Sequence, residues 1–429
     1  MNRHLLYVAW GFPPARGSGV YRALATPNLF AQAGWRVTVL TASTESFEKY
    51  TGADHSLVDL VHPDVRVVRL PFERPYLDGE LATWSRFRIE MPDLWLRWRR
   101  AADVAPFPEA NYGFWRRPLE RAARAVHRED PVDLVIATAN PHVDFVAAAE
   151  LAKVGVPYVM DYRDAWQLDV FSGARVAAPR SRVARWESRL VAGAKEVWFV
   201  NEPIRTWHAE LYPEHADRMY VVPNGYDGGL RPRRIPTPTK EATFGFLGTI
   251  SEKVPMAEFI NGWKGFRELR DRAGCRALLA GYVGFGGEST GSGDLSEPTA
   301  RMEYIGPVPK GDVANFYARC DALLLVLGSG KYVTSGKVFE YLATGLPIVS
   351  VHDPRNAVND VLRGYPLWFP TEGLEPGQIA RALERAAREV QAPDPDRWRA
   401  AATWGPRVAR AAQLAPRIEA LASGVHKRG

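Results

Sequence analysis

Cysteine is scarce in this chain, because its 429 residues include only two, Cys275 and Cys320. Two thiols are too few for a disulfide framework, so the sequence favours a reducing compartment. Long apolar runs are also lacking, since no stretch approaches the roughly 18–20 apolar residues of a membrane-spanning helix. The short apolar stretch at residues 5–10 runs into two prolines without a small-residue cleavage pattern, so we expect no signal peptide. We therefore predict a cytoplasmic protein.

A concentrated block of charge is lacking as well. The chain has 55 Lys and Arg against 49 Asp and Glu, a formal net charge of +6, and the basic residues are dispersed. This balance suits anionic ligands or an anionic surface, but without a basic tail we do not expect nucleic acid as a partner. With 46% hydrophobic and 24% charged residues the composition is globular, and the length predicts two or three domains.

Several catalytic and metal-binding motifs are absent. The sequence has no Gly-x-Ser-x-Gly and no His-Glu-x-x-His. Residues 328–331 resemble the end of a phosphate-binding loop, but the upstream glycine is missing and Tyr332 replaces the Ser or Thr. Asp394 and Asp396 have a metal-like spacing, yet they lie in a Pro-rich stretch rather than at a strand end, which indicates a turn. We therefore predict no metal site and no kinase, hydrolase or metalloenzyme activity.

The sequence does contain an alternation of buried strands and helices. Apolar runs of strand length at residues 4–10, 37–40, 133–138, 158–161, 196–200 and 219–222 are separated by longer segments, and a second series extends from 243 to 351. A stretch rich in proline and arginine, residues 228–240, separates the two series, and its composition indicates a linker. The pattern predicts an α/β protein with two doubly wound domains, residues 1–230 and 231–400.

Residues 334–351 are the most informative part of the second series. A buried strand and a glycine-rich loop precede a short predicted helix that a glycine and a proline end. The start of this helix, at Ser335, Gly336 and Lys337, offers free N–H groups, a hydroxyl and a positive charge to an anion such as a diphosphate. Glu340 can accept hydrogen bonds from ribose hydroxyls. The alternative is an ordinary capped helix in which Glu340 is an N-terminal acid.

A second glycine-rich loop follows the first predicted strand. Gly17, Ser18 and Gly19 match part of a dinucleotide-binding fingerprint, but Arg22 occupies the place of the third glycine and no acid ends the second strand. We therefore reject an NAD site. The loop still allows the backbone to approach a phosphate or a sugar closely, and the alternative is an ordinary connection between strand and helix.

Polar residues follow two further strands of the first series. His142 lies in the loop after residues 133–138, and Arg163 and Asp164 follow residues 158–161. Because the carboxyl ends of parallel strands meet at one edge of a sheet, we expect these three residues to converge on a ligand there. The alternatives are a capping or loop histidine and a structural Arg–Asp ion pair.

A stretch rich in Trp and Arg, residues 84–117, separates these strands from the first two. Arg stems and indole rings on one amphipathic surface can bind an acceptor or lie against an anionic membrane interface. The alternative is a segment that is partly core and partly solvated. Composition does not decide between these interpretations.

Four segments carry a family resemblance. Residues 335–348 resemble the pattern Ser-Gly/Lys-Lys-x-Phe-Glu-Tyr-Leu-Ala-x-Gly-x-Pro-Ile of GT-B glycosyltransferases of the family 4 type. Residues 11–36, 140–166 and 223–227 are similar to further phrases of the same family, among them Pro-x-Val-x-Asp-x-Arg-Asp-x-Trp. The chain departs from that family at Thr249, where an arginine is common, and at Tyr332, where a glutamate is common.

The resemblance implies two Rossmann-like domains facing across a cleft, with a C-terminal helix, residues 401–429, returning to the first domain. It implies metal-independent transfer, with retention of configuration, from a UDP-, GDP- or dTDP-sugar to a small molecule or a lipid-linked or cell-surface glycan precursor. No cofactor besides the donor substrate is expected. Alternatives on the same fold are a nucleotide-sugar-binding protein without catalysis and a nucleotide-sugar epimerase. The resemblance places the donor at Gly17, Ser18, Gly19, Thr249, Lys253, Ser335, Gly336, Lys337 and Glu340, and catalysis at Asp164, Arg163 and His142.

Overall fold

The computed structural model describes residues 2–17, 19–230, 235, 238–269, 272–283, 300–328 and 330–424. The chain packs into two compact units. Unit 1 comprises Met1–Asp169, Ala174–Pro223 and Leu414–Gly429, and unit 2 comprises Val170–Gly173 and Asn224–Gln413. The predicted domains divide the chain at residues 230 and 401, whereas unit 2 begins its long segment at Asn224 and ends at Gln413.

Unit 1 contains a parallel sheet whose seven described strands have the order β3-β2-β1-β4-β5-β6-β7. The strands are β1 His4–Val8, β2 Arg36–Ala42, β3 Val65–Leu70, β4 Leu134–Ala139, β5 Tyr158–Tyr162, β6 Glu196–Phe199 and β7 Met219–Val221. The strand order reverses at β1, which lies between β2 and β4. Doubly wound sheets bind ligands at such a switch point, outside the carboxyl ends of the strands.

Helices connect the strands of unit 1, and polar side chains cap several of them. Ser43, Ser181 and Asn201 accept hydrogen bonds from backbone N–H groups in the first turns of three of these helices, α2, α7 and α8, which satisfies donors that the helix itself leaves open. The helices are α1 Val20–Gln32, α2 Thr44–Tyr50, α3 Arg86–Glu90, α4 Pro92–Val104, α5 Arg116–Glu129, α6 Phe145–Ala152, α7 Arg182–Gly193 and α8 Glu202–Leu211.

Unit 2 contains a second parallel sheet, whose six described strands have the order β10-β9-β8-β11-β12-β13. The strands are β8 Thr243–Leu247, β9 Arg276–Ala280, β10 Met302–Tyr304, β11 Ala322–Val326, β12 Ile348–Val351 and β13 Trp368–Pro370. Its helices are α9 Met256–Arg267, α10 Val313–Ala318, α11 Lys337–Thr344, α12 Val358–Leu362, α13 Pro376–Gln391, α14 Pro395–Ala402 and α15 Trp404–Val408. The last helix, α16 Arg410–Gly424, begins in unit 2 and belongs to unit 1 from Leu414 onward.

Both sheets are buried on their two faces, which explains their continuous apolar strands. Every residue of β1 in unit 1 and of β11 in unit 2 is buried. Fully burying one Val, Leu, Ile or Phe side chain contributes about 1.5–3 kcal/mol. The predicted α/β class with two doubly wound sheets is therefore confirmed.

The structure differs from the predicted elements in several places. Strands β3 and β13 are absent from the sequence prediction, because β3 is half-buried and β13 has only three residues. The C-terminal segment predicted as one helix, residues 401–429, contains the end of α14, then α15 and α16, in its described part. Ala409 interrupts it with extended backbone and pairs with Tyr226. The predicted linker, residues 228–240, lies partly outside the described residues.

Candidate functional site

Helix α11 of unit 2 begins at the predicted anion site. Gly336 precedes its first residue without a side-chain cap, and Ser335 Oγ accepts a hydrogen bond from the Lys337 backbone N–H at 3.3 Å. Gly345 ends the helix in the left-handed conformation, with φ of 69°. The positive end of the helix dipole therefore lies at Ser335, Gly336 and Lys337.

Glu340 is held by two neighbours at this helix terminus. Lys337 Nζ lies 3.0 Å from Glu340 Oε2, and the Tyr317 hydroxyl donates a hydrogen bond of 2.8 Å to the same oxygen. Lys337 and Glu340 are both about one-third exposed or less, so a ligand can reach the pair. The two residues that the sequence assigns to a diphosphate and a ribose thus lie side by side.

Sequence reasoning did not identify two further cations of unit 2 that lie near this pair. Lys310 Nζ is 3.9 Å from Asp227 Oδ2, and Arg410 Nε donates a hydrogen bond of 2.6 Å to Asp227 Oδ1. Burial lowers the pKa of Lys310, and the charges of Asp227, Glu340, Arg410 and Lys337 all act on it. A bound anion would favour the charged form of this lysine.

We call Asp227, Lys310, Lys337, Glu340 and Arg410 the α11 charge cluster. Three cations surround two acids in it, so it carries one net positive charge in addition to the helix dipole. Asp227 belongs to a phrase that the sequence analysis singled out, but no local pattern marks Lys310 or Arg410. Their role depends on chain segments that are far apart in sequence.

Thr249 and Lys253 follow β8 in unit 2, and both are exposed. The Lys253 ammonium lies over the ring of Phe171, 3.7 Å from its centroid. Within the described residues, neither Thr249 nor Lys253 forms a hydrogen bond or ion pair with the α11 charge cluster. Their assignment to the diphosphate stays a prediction.

The glycine loop of unit 1 lies against Arg163. A Cβ atom added to Gly19 would lie 1.2 Å from Arg163 Nη1, so a side chain there would displace the Arg163 guanidinium. Arg163 Nε donates to the Ala139 carbonyl at 2.8 Å and its Nη2 donates to the Asn140 carbonyl at 2.6 Å. Gly17 has φ of 146°, which also favours glycine. Ser18 lies outside the described residues.

Asp164 and His142 lie at the same edge of this sheet. The Asn140 side-chain amide donates a hydrogen bond of 2.8 Å to Asp164 Oδ2, and His142 Nε2 is 3.4 Å from the Asp164 carbonyl oxygen. Asp164 is exposed, whereas the His142 ring is buried and stacks on Trp166 with 5.0 Å between centroids. No ion pair joins Arg163 to Asp164 in the described residues, so the predicted structural-pair alternative is wrong.

Two acids that the sequence analysis missed surround His142. Glu109 Oε1 accepts a hydrogen bond of 2.8 Å from the His142 backbone N–H and lies 3.2 Å from its Nδ1, and Glu109 Oε2 accepts from the Val143 backbone N–H. Asp144 is fully buried, and burial raises its pKa well above its usual range. Its Oδ2 accepts from the Trp10 backbone N–H at 2.7 Å. Of these two acids, only Asp144 could have been found from the sequence, because it lies two residues after His142.

Arg22, which replaces the third fingerprint glycine, has a structural role. Its guanidinium pairs with Asp161, with Nη2 2.6 Å from Oδ1 and Nε 2.8 Å from Oδ2. Its Nη1 donates to the carbonyls of Val222 and Pro223 at 2.9 and 3.2 Å. This residue joins α1 to the ends of β5 and β7.

The Trp/Arg stretch, residues 84–117, is partly core and partly surface. Trp115 and Trp95 are buried, and Arg88 lies over the rings of Trp84 and Trp95 at 3.7 and 4.6 Å. Trp98 is 54% exposed. The large apolar side chains that are exposed in and just before this stretch are Leu77, Leu81, Phe87, Ile89, Met91, Leu94 and Trp98.

No group of three or more His, Cys, Asp or Glu residues in the described part of the chain is arranged to hold a metal ion. None of its helices combines the length and the apolar character needed to cross a bilayer.

Comparisons with known proteins agree with this architecture. Residues 20–225 match the family model of a glycosyl transferase 4-like domain. Comparison with curated protein sequences finds no match. A solved glycosyltransferase from Rickettsia africae ESF-5 has 11% identity and a TM-score of 0.62, and the match covers 98% of each chain.

Two other similar solved structures contain UDP or a UDP-sugar. Anabaena HepE in complex with UDP has 14% identity and a TM-score of 0.61, over 99% of this chain and 100% of that chain. An E. coli structure, described as trehalose-6-phosphate bound with UDP-2-fluoro glucose, has 12% identity and a TM-score of 0.62, over 99% and 100%. This chain therefore has the GT-B fold, and its residues 20–225 are similar to a glycosyl transferase 4-like domain.

Proposed function

We propose that the protein transfers a sugar, with retention of configuration, from a nucleoside-diphosphate sugar to an acceptor hydroxyl. The observation that carries this proposal is the α11 charge cluster, in which Lys310, Lys337 and Arg410 lie near the positive end of a helix dipole. Solved structures of the same fold contain UDP or a UDP-sugar. A UDP-sugar is therefore the donor that we propose first, ahead of GDP- and dTDP-sugars.

The chemistry of the leaving group fits this cluster. Negative charge grows on the nucleoside diphosphate as the glycosidic bond breaks, and preorganised cations with a helix N-terminus stabilise that charge. Lys337 and Lys310 have this role in our proposal, so the reaction needs no metal ion. The departing phosphate can assist removal of the acceptor proton, and Glu340 binds the ribose hydroxyls.

We place the acceptor in unit 1, at the carboxyl ends of β1, β4 and β5. The exposed Asp164 carboxylate, fixed by Asn140, can accept a hydrogen bond from a sugar or acceptor hydroxyl. His142 is buried between Glu109 and Trp166. In our proposal it therefore positions the loop after β4. The acceptor class that we propose is a small molecule or a lipid-linked glycan precursor.

A membrane-linked acceptor is favoured by the surface of α3 and α4. Ile89, Met91, Leu94 and Trp98 are exposed there. Arg97 lies among them in sequence, and Arg86, Arg88, Arg99 and Arg100 flank them. Apolar side chains interleaved with cations suit an anionic bilayer surface. We expect sedimentation with vesicles containing anionic lipid, and Leu94→Ser with Trp98→Ser should abolish it. Equal sedimentation of the double variant would contradict this contact.

The donor is tested by thermal stabilisation followed by product analysis. A true donor at 100 times its Kd should stabilise the fold by about 2.7 kcal/mol, and a transferred glycoside with any acceptor establishes transfer. Epimerisation of the donor without an acceptor would favour the epimerase alternative, and binding without either reaction would favour a non-catalytic protein. Absence of stabilisation by UDP-, GDP- and dTDP-sugars would contradict the proposal.

A further inference from the structure

Arg74 of unit 1 has an unusual environment for a cation. Its guanidinium carbon lies 4.7 Å from the ring centroid of Tyr112, 5.6 Å from that of Phe72, and 5.8 Å from those of Trp10 and Tyr50. We call these four rings the Arg74 cage. The side chain is half-buried, so part of it remains open to solvent while the rings cover the rest.

No acidic side chain neutralises this cation in the part of the chain that the structure describes. No carboxylate there lies within the 4.0 Å of an ion pair with Arg74, and its buried Nε has no hydrogen-bond acceptor. The nearby acids have other partners: Glu109 binds two backbone N–H groups, and Asp103 lies 3.1 Å from Arg99 Nε. A partly buried cation without a counter-charge is less favourable than a paired one, and an anionic ligand would supply that charge.

Further polar atoms around the cage also lack partners. The Tyr76 hydroxyl and Trp10 Nε1 are buried and make no hydrogen bond in the described residues. Burial raises the pKa of both Tyr76 and Tyr112. The Arg74 charge opposes this effect at both phenols, together with a hydrogen bond to Arg74 at Tyr112, so both lie near the guanidinium. Buried donors are normally paired, so a group of unpaired ones indicates a missing acceptor.

The position of the cage connects it to the proposed acceptor side. Trp10 follows β1, and its backbone N–H binds Asp144 in the loop after β4. Phe72 and Arg74 follow β3, and Tyr112 lies in the same segment as Glu109, which holds His142. The cage therefore lies at the carboxyl ends of the unit 1 strands, where doubly wound sheets bind ligands.

We propose that the Arg74 cage binds an oxyanion, a phosphate or a carboxylate, that the acceptor carries next to its reactive hydroxyl. This inference rests on the proposed transferase function and adds the chemical class of the acceptor. The planar guanidinium pairs with an oxyanion through two parallel hydrogen bonds. The rings exclude water and contact the apolar or sugar part of the same molecule.

The test measures binding of simple oxyanions to the full chain while UDP saturates the proposed donor site. Inorganic phosphate and acetate are titrated by calorimetry into the wild type, Arg74→Gln and Arg74→Lys. We expect Arg74→Gln to weaken binding of the preferred anion by about 10–100-fold and Arg74→Lys to have an intermediate effect. Preference for phosphate or for acetate identifies a phosphorylated or a carboxylated acceptor. Arg66→Gln, which removes an exposed arginine of β3 paired with Glu129, is the matched control and should bind as the wild type does.

Melting temperatures separate this role from a purely structural one. An arginine that only packs against rings would destabilise the fold when replaced and would bind no anion. We expect Arg74→Gln to melt within a few degrees of the wild type and anion addition to raise only the wild-type melting temperature. Equal anion binding by the wild type and Arg74→Gln, or no binding by either, would overturn the inference. Failure of UDP to bind would instead contradict the donor proposal. The anion titration would still test whether Arg74 binds an oxyanion.

Discussion

The buried ion pair between Arg22 and Asp161 allows a quantitative prediction. Both side chains are at most 1% exposed, and Asp161 receives its hydrogen bonds only from Arg22 among the described residues. Arg22→Met leaves a buried carboxylate without donors and also removes two bonds to the carbonyls of Val222 and Pro223. Removing one partner of a buried pair costs about 3–5 kcal/mol.

The expected loss is large enough to measure by calorimetry. For a unit of this size, 1 kcal/mol shifts the midpoint by about 2–4 °C, so the unit 1 transition of Arg22→Met should fall by about 6–20 °C. Asp161→Leu should cost a similar amount, because it leaves the Arg22 cation buried without a counter-charge, although Arg22 keeps its two carbonyl partners. The double variant Arg22→Met/Asp161→Leu should recover much of the loss, since it buries no unpaired charge.

Two comparisons make this reasoning refutable. Arg66→Met breaks an exposed pair with Glu129 and should cost no more than about 1 kcal/mol. UDP binding, which we propose for unit 2, should survive in all variants. A loss for Arg22→Met as small as that for Arg66→Met, or a double variant as unstable as the sum of the single variants, would show that the pair is not the stabilising feature.

Further predictions concern the donor, pH and metal. Lys337→Ala should lower kcat by about 10²–10³ because charge grows at the diphosphate, and Glu340→Gln should raise the donor KM about tenfold with kcat nearly unchanged; a pure KM effect of Lys337→Ala would contradict these roles. Burial raises the pKa of Glu187, but His208, whose Nε2 lies 3.6 Å from the carboxylate, and hydrogen bonds from Gln167 and Tyr162 outweigh burial and lower the pKa from 4.5 to about 2. Its contribution, about 3 kcal/mol, should therefore be present above pH 4.5 and disappear as the pH falls through 2. Acid unfolding followed by circular dichroism should show this loss in the wild type but not in Glu187→Gln. Donor turnover should survive EDTA, and an activity that EDTA removes and Mg²⁺ restores would contradict metal independence.

Local sequence patterns predicted the framework of both units. Strands β1 and β11 are buried on both faces, so their apolar runs are continuous and recognisable without knowledge of their neighbours. The same holds for the start of α11, where Ser335, Lys337 and Glu340 are close in sequence and therefore close in space. The short strand β13 and the interruption at Ala409 have no comparable local signal.

Tertiary structure alone decided which distant side chains meet. The sequence by itself determined the alternation of strands and helices and the polar residues His142, Arg163 and Asp164 at strand ends. It did not show that Glu109 would hold His142, or that Arg410 would pair with Asp227 across 183 positions of the chain. Such pairs depend on the order of strands in a parallel sheet and on how long connections pack. A local pattern of burial does not contain that information. Each of these side chains is polar, and its position in the sequence follows no periodic pattern that would identify its partner.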